Sequence, residues 1–89
     1  MLYLISYDIN EQQFDYLGLK ETIKTFGDYQ HPMETLWFVK TNVPRDVNEM
    51  TERLRNYLHS ADTIFVMKLP ENPTCQGWLP RAFWKWLGR

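Results

Sequence analysis

An α+β sandwich with elements in the order β-α-β-β-α-β, followed by a tryptophan-rich basic tail, is the architecture this 89-residue sequence predicts. Three observations carry it. The chain opens on a strand that is apolar on both phases. Two later stretches repeat apolar residues at i, i+3, i+7 and i+10, and a pair of β-rich runs lies between them. A chain of 89 residues holds one domain whose burial on folding is modest. Aromatic residues, at 16% of the chain, offset part of that deficit because each buries a large area.

Residues 1–8 place Leu2, Leu4 and Ser6 on one face and Tyr3, Ile5 and Tyr7 on the other. A strand that is apolar on both faces is covered on both sides. From Phe14 to Phe26 the period changes. Tyr16, Leu19, Ile23 and Phe26 form one stripe and Gly27 follows as a stop, which predicts an amphipathic helix despite Gly18 within it. Residues 28–31 and 35–41 then read as a hairpin. Its first arm is short and edge-like because Pro32 has no N–H to give a central ladder.

Val43 and Pro44 open a second helix in this reading, since proline suits a first turn. Its apolar stripe is Val47, Met50, Leu54 and Tyr57, and Glu49, Glu52, Arg53 and Arg55 make the solvated side. Residues 62–69 form the last strand, with Ile64, Val66 and Lys68 on one phase and Thr63, Phe65, Met67 and Leu69 on the other.

For residues 1–69 that order is the ferredoxin-like pattern, two helices on one face of a four-stranded antiparallel sheet. Residues 70–89 are the tail, a polar Pro-containing stretch and then a short helix with Pro80 in its first turn. Leu79, Phe83, Trp86 and Leu87 fall on one side of that helix, and Arg81, Lys85 and Arg89 on another. Two helices leave the second sheet face bare, yet three strands are apolar there. A cover is therefore expected: a second copy in a two-fold dimer through the sheet, or the tail itself, docked on its own domain or on the dimer partner.

The net charge of -1 excludes a global basic field, so a nucleic-acid partner has to be met by a local patch. Residues 77–89 hold Arg81, Lys85 and Arg89 and no acid, leaving 7 basic against 11 acidic residues in the rest of the chain. A lone cysteine, Cys75, forms no internal disulfide, fits a reducing compartment and reads as structurally incidental. No leader-like segment occurs and no apolar run nears the ~18 residues of a membrane span, so the expectation is a cytosolic protein with no membrane partner.

Asp8 is the sharpest chemical candidate. A carboxylate ending an apolar strand is either a positioned ligand or a turn-former helped by Asn10. As a ligand it suits Mg²⁺ or Mn²⁺, which prefer carboxylate and water oxygens, and a two-fold axis would double one acid into a pair. Ser6 and Tyr7 have no base at a spacing that would make a nucleophile. His31 and His59 form no metal motif with Cys75 and read as structural or solvated.

The tail is the second candidate. Arg81, Lys85, Arg89 and Trp84 combine cations with an aromatic face, the chemistry that neutralises phosphates and stacks on bases. The competing reading is that Trp78, Phe83 and Trp86 anchor the tail on an apolar surface while the basic stripe faces water.

The opening strand ending Tyr7-Asp8-Ile9, the helix closing on Gly27, the hairpin through Gln30 to Thr41, the second helix and the last strand resemble the small CRISPR-associated nuclease-like subunit of the spacer-integration complex and its VapD-type toxin relatives. The Gly77-Trp78-Leu79-Pro80 and Trp84-Lys85-Trp86-Leu87 tail is more similar to a branch labelled SinR-like. The resemblance implies a ferredoxin-like homodimer in which Asp8 binds a divalent metal between subunits and is the catalytic residue. The chain departs from the CRISPR subunit at Met33-Glu34-Thr35-Leu36, where a Gln-x-Ser-hydrophobic stretch is usual, and at Glu11-Gln12-Gln13, where a basic residue is usual.

Two functions are thereby expected. One is a homodimeric nucleic-acid-associated protein, acting on RNA or DNA, with weak or vestigial metal-dependent endoribonuclease or endonuclease capacity at Asp8. The other is a non-catalytic protein-interaction module, antitoxin-like or phage-encoded, that docks a protein partner through the acidic body and basic tail.

Overall fold

The computed structural model describes residues 1–10 and 16–88. Its elements are β1 (Leu2–Asp8), α1 (Leu17–Thr25), β2 (Asp28–Met33), β3 (Leu36–Lys40), α2 (Val47–Arg55), β4 (Thr63–Leu69) and α3 (Arg81–Leu87). The four strands form one antiparallel sheet in the order β2-β3-β1-β4. The α+β class and the element order follow the expectation from sequence. Phe14, expected to begin the first helix, lies outside the described residues.

The period of two in β1 sends Tyr3, Ile5 and Tyr7 to one face, where they are buried with Trp37 and Val39 of β3. α1 adds Leu19 and Ile23, and α2 adds Met50 and Leu54, with Tyr16 and Phe26 closing the ends of α1. Each such side chain contributes about 1.5–3 kcal/mol by leaving water.

α2 begins later than Pro44 led us to expect. Asp46 is its N-cap and accepts from the Asn48 amide at 2.9 Å, so a capping carboxylate rather than proline's fixed φ decides the start. The preceding loop is held by the Tyr3 hydroxyl, which accepts from the Arg45 amide at 2.7 Å and donates to the Arg45 carbonyl at 3.1 Å. Tyr57 lies past the end of α2 and exposed, with its ring over Gly18.

Gly27 ends α1 for a reason other than a left-handed turn. Its φ is not positive, and a Cβ there would run into the Lys40 carbonyl oxygen. The arms of the hairpin, β2 and β3, are of nearly equal length, six and five residues, so the first arm is not the shorter one. Pro32 is accommodated because β2 is an edge strand and the register shifts between Gln30 and Met33.

The second sheet face is covered in part by the chain's own tail. Phe83 and Leu87 of α3 are buried against Leu2, with Phe38, Leu69, Leu79, Trp84 and Trp86 around them. Phe38 and Phe83 rings lie 4.8 Å apart. Trp86 Nε1 donates to Asp28 at 2.9 Å, and Lys40 Nζ sits 4.4 Å from the Trp86 ring centroid while donating to the Trp86 carbonyl. Pro80 is the N-cap, and Gly88, with φ of 98°, closes α3 by donating to Trp84 and Lys85 carbonyls.

Candidate functional site

The sheet register fixes what the tail leaves open. Leu2 aligns with Lys40 and Leu69, Leu4 with Phe38 and Met67, Ser6 with Leu36 and Phe65, and Asp8 with Thr63. α3 covers the Leu2 end. Beyond it, Leu4, Met67, Ser6, Leu36, Phe65 and Met33 form an apolar half-face whose far rim is Asp8. Phe65 is 58% exposed and Met33 52%, values far above those of core residues.

Asp8 is exposed, and among the described residues no hydrogen bond or ion pair engages its carboxylate. The turn-forming work belongs to Asp62. Its Oδ1 accepts from the Asn10 amide at 2.9 Å, and its Oδ2 accepts from the His59 amide at 2.8 Å and from the Tyr16 hydroxyl at 2.9 Å. Asn10, expected to help Asp8, donates its side-chain amide to the Ala61 carbonyl. These donors, the His59 amide first, hold the Asp62 carboxyl below its ordinary value. An aspartate three residues after His59 in a short polar loop can accept from that earlier amide, a signal that sequence reading could have used.

Tyr7 is inward and committed. Its hydroxyl accepts from Trp37 Nε1 at 3.1 Å and donates to the Glu34 carbonyl at 3.3 Å, and burial raises its pKa. The exposed His31 ring stacks on Trp37 at 3.7 Å, with Nε2 2.7 Å from the Glu34 carbonyl oxygen. His59 meets Tyr16 edge-on at 6.1 Å.

In the tail, Arg81 and Lys85 fall at i and i+4 of α3, on the side away from Phe83 and Leu87, while Trp84 at i+3 packs against the Phe83 cluster. Arg81 and Lys85 are exposed and in no ion pair among the described residues. Trp84 is half-buried, edge-on to Phe83 at 5.3 Å. Arg89 lies outside the described residues. Trp78 does not anchor the tail: it is 102% exposed, while its neighbour Leu79 turns inward. Cys75 is free and exposed.

Among the described residues no three His, Cys, Asp or Glu side chains gather closely enough to hold a divalent cation. The Asp8 carboxylate offers hard oxygen donors. Among the described residues, no helix is long and apolar enough to cross a membrane. Comparison with protein-family models, with curated proteins and with solved structures finds no match.

Proposed function

We propose that the chain is a homodimeric nucleic-acid-associated protein of ferredoxin-like fold, with weak metal-dependent endonuclease capacity seated on two Asp8 carboxylates across a two-fold axis. The observation that carries this reading is the uncommitted Asp8 carboxylate at the rim of an open apolar half-face. Burying that half-face against a second copy removes exposed Phe65, Met33 and Met67 from water, and the same symmetry brings in a second Asp8. Support for the fold name comes from β1 and β3 side by side at the centre, β2 and β4 at the edges, and α1 and α2 on one face. The likeness of Tyr7-Asp8-Ile9 to the CRISPR-associated integration subunit adds to it.

Two Asp8 carboxylates, completed by water and a phosphate oxygen, are the donor set that Mg²⁺ or Mn²⁺ takes. When bound there, such a cation would neutralise phosphate charge and acidify a water. The protein's own part is narrow. Tyr7 keeps its proton, Ser6 has no base beside it among the described residues, and Asp8 orients the water. Only slow hydrolysis is expected from that set. The test is cleavage of single-stranded and duplex RNA and DNA with Mg²⁺ or Mn²⁺. Cleavage that Asp8→Ala abolishes while the far-UV spectrum is kept supports the reading, and equal cleavage by the variant removes it.

A second reading, a non-catalytic module that docks a protein, is favoured by one observation. The open half-face carries apolar side chains, Ser6, Thr63 and Asp8 and, among the described residues, no cation to meet phosphate. Recovery of one stoichiometric protein partner, lost with Phe65→Glu, would select it.

A further inference from the structure

We propose that the outer side of the tail, Trp78 together with Arg81, Trp84 and Lys85, binds single-stranded nucleic acid, with Trp78 as the base-stacking platform and the two cations as phosphate contacts. This deepens the nucleic-acid reading above and rests on it.

Trp78 is the outlier of the surface. The other exposed large apolar residues lie between 37% and 63%, whereas Trp78 stands at 102% in a chain that elsewhere buries its indoles wholly or in part. An indole left in water forgoes one of the largest burial gains of any side chain. The neighbouring Leu79 packs into the α3 cluster and Pro80 caps the helix, while Trp78 stays in solvent.

Two residues separate Trp78 from Arg81, a reach of about 10 Å at full extension. Arg81 and Lys85 then rise about 6 Å apart along α3. That spacing is on the scale of successive phosphates in an extended strand. Trp84, which precedes Lys85, packs against the Phe83 cluster and is partly exposed beside the two cations. Neither cation is in an ion pair among the described residues, and residues 77–89 contain no acid to neutralise them.

The same features disfavour a duplex. Paired bases are stacked inside the helix and offer an exposed indole no face, and two cations are few for the charge density of double-stranded DNA. RNA and DNA single strands share the base face and the phosphate, so the site is read as common to both.

The test is fluorescence anisotropy of the full chain with a labelled oligo(dT), an oligo(U) of equal length and a matching duplex, without divalent metal. Either single strand should bind about 10-fold or more tighter than the duplex, and Trp78→Ala should weaken it about 10-fold, within the range for one lost base stack. Arg81→Ala and Lys85→Ala should each reduce the slope of log K against log salt by about 0.7. Trp78→Ala binding like wild type, or duplex binding as tightly as single strands, overturns the proposal. Trp78→Ala that dissociates a dimer while single-strand binding persists also overturns it, and assigns Trp78 to the subunit interface. Asp8→Ala separates the two readings. Loss of metal-dependent cleavage with strand binding intact supports this site, and absence of any cleavage by wild type with strand binding intact removes only the Asp8 reading.

Discussion

The Tyr16 hydroxyl donates to the Asp62 carboxylate at 2.9 Å, across forty-six residues of chain, and so ties the start of α1 to the start of β4. With Asn10 and His59 on the same carboxylate, Asp62 is the knot of the loops at this end of the sheet. Among the described residues these donors meet Asp62, and none meets the Asp8 carboxylate.

Acid should loosen that knot. The Asp62 carboxyl is held below its ordinary value of 3.8, so its contribution to stability is present above that value and is lost as pH falls through the lower folded value. Thermal melts of wild type and Asp62→Asn across the acid range check this. The wild-type melting temperature should fall more steeply than the variant's below about pH 4, and parallel curves would contradict the assignment.

Gly27 and Gly77 should respond oppositely to alanine. A Cβ at Gly27 meets the Lys40 backbone oxygen, which cannot swing aside, whereas nothing lies within 4 Å of one at Gly77. Gly27→Ala should cost about 1–3 kcal/mol in urea unfolding, the range for overpacking. Gly77→Ala should change stability by less than about 0.5 kcal/mol.

Gly18 is coupled to Tyr57. A Cβ at Gly18 would come within 2.6 Å of the Tyr57 ring, so the helix-propensity gain of alanine is opposed in wild type. In a Tyr57→Ala background that opposition is gone, and Gly18→Ala should stabilise by about 1 kcal/mol. A double-mutant cycle showing the same effect in both backgrounds would refute the coupling.

The tail should be an integral layer. Phe83 is 1% exposed between Leu2 and Phe38, and Phe83→Ala should cost about 3–5 kcal/mol. Its loss should uncover the second sheet face and raise binding of an apolar dye. Trp86→Phe, which removes the indole donor to Asp28 and part of the ring that Lys40 and Phe83 contact, should cost at least about 1 kcal/mol.

Much of this was legible from periodicity. The stripe Tyr16, Leu19, Ile23 and Phe26 is buried as a unit, and the double-faced pattern of β1 called for a cover that Phe83 and Leu87 now supply in part. What stayed hidden depended on contacts distant in sequence. Periodicity does not say whether Asp8 or Asp62 will meet the Asn10 amide, because the competing donors come from α1 and from the loop before β4. It could not separate Trp78 from Trp86 either, since one indole finds Asp28 across the sheet and the other finds nothing to cover it. The start of α2 was misplaced because Pro44 and Asp46 both signal a helix start, and the side-chain cap wins.

The most direct test of the paired Asp8 site is a Mn²⁺ titration followed by the electron paramagnetic resonance signal of free metal. It is run alongside light scattering on wild type and Asp8→Ala. The wild type should be a dimer that takes up one Mn²⁺ per two chains, and the variant should remain folded and dimeric but leave the metal free. Equal uptake by the variant, or a monomeric wild type that takes up none, would contradict it.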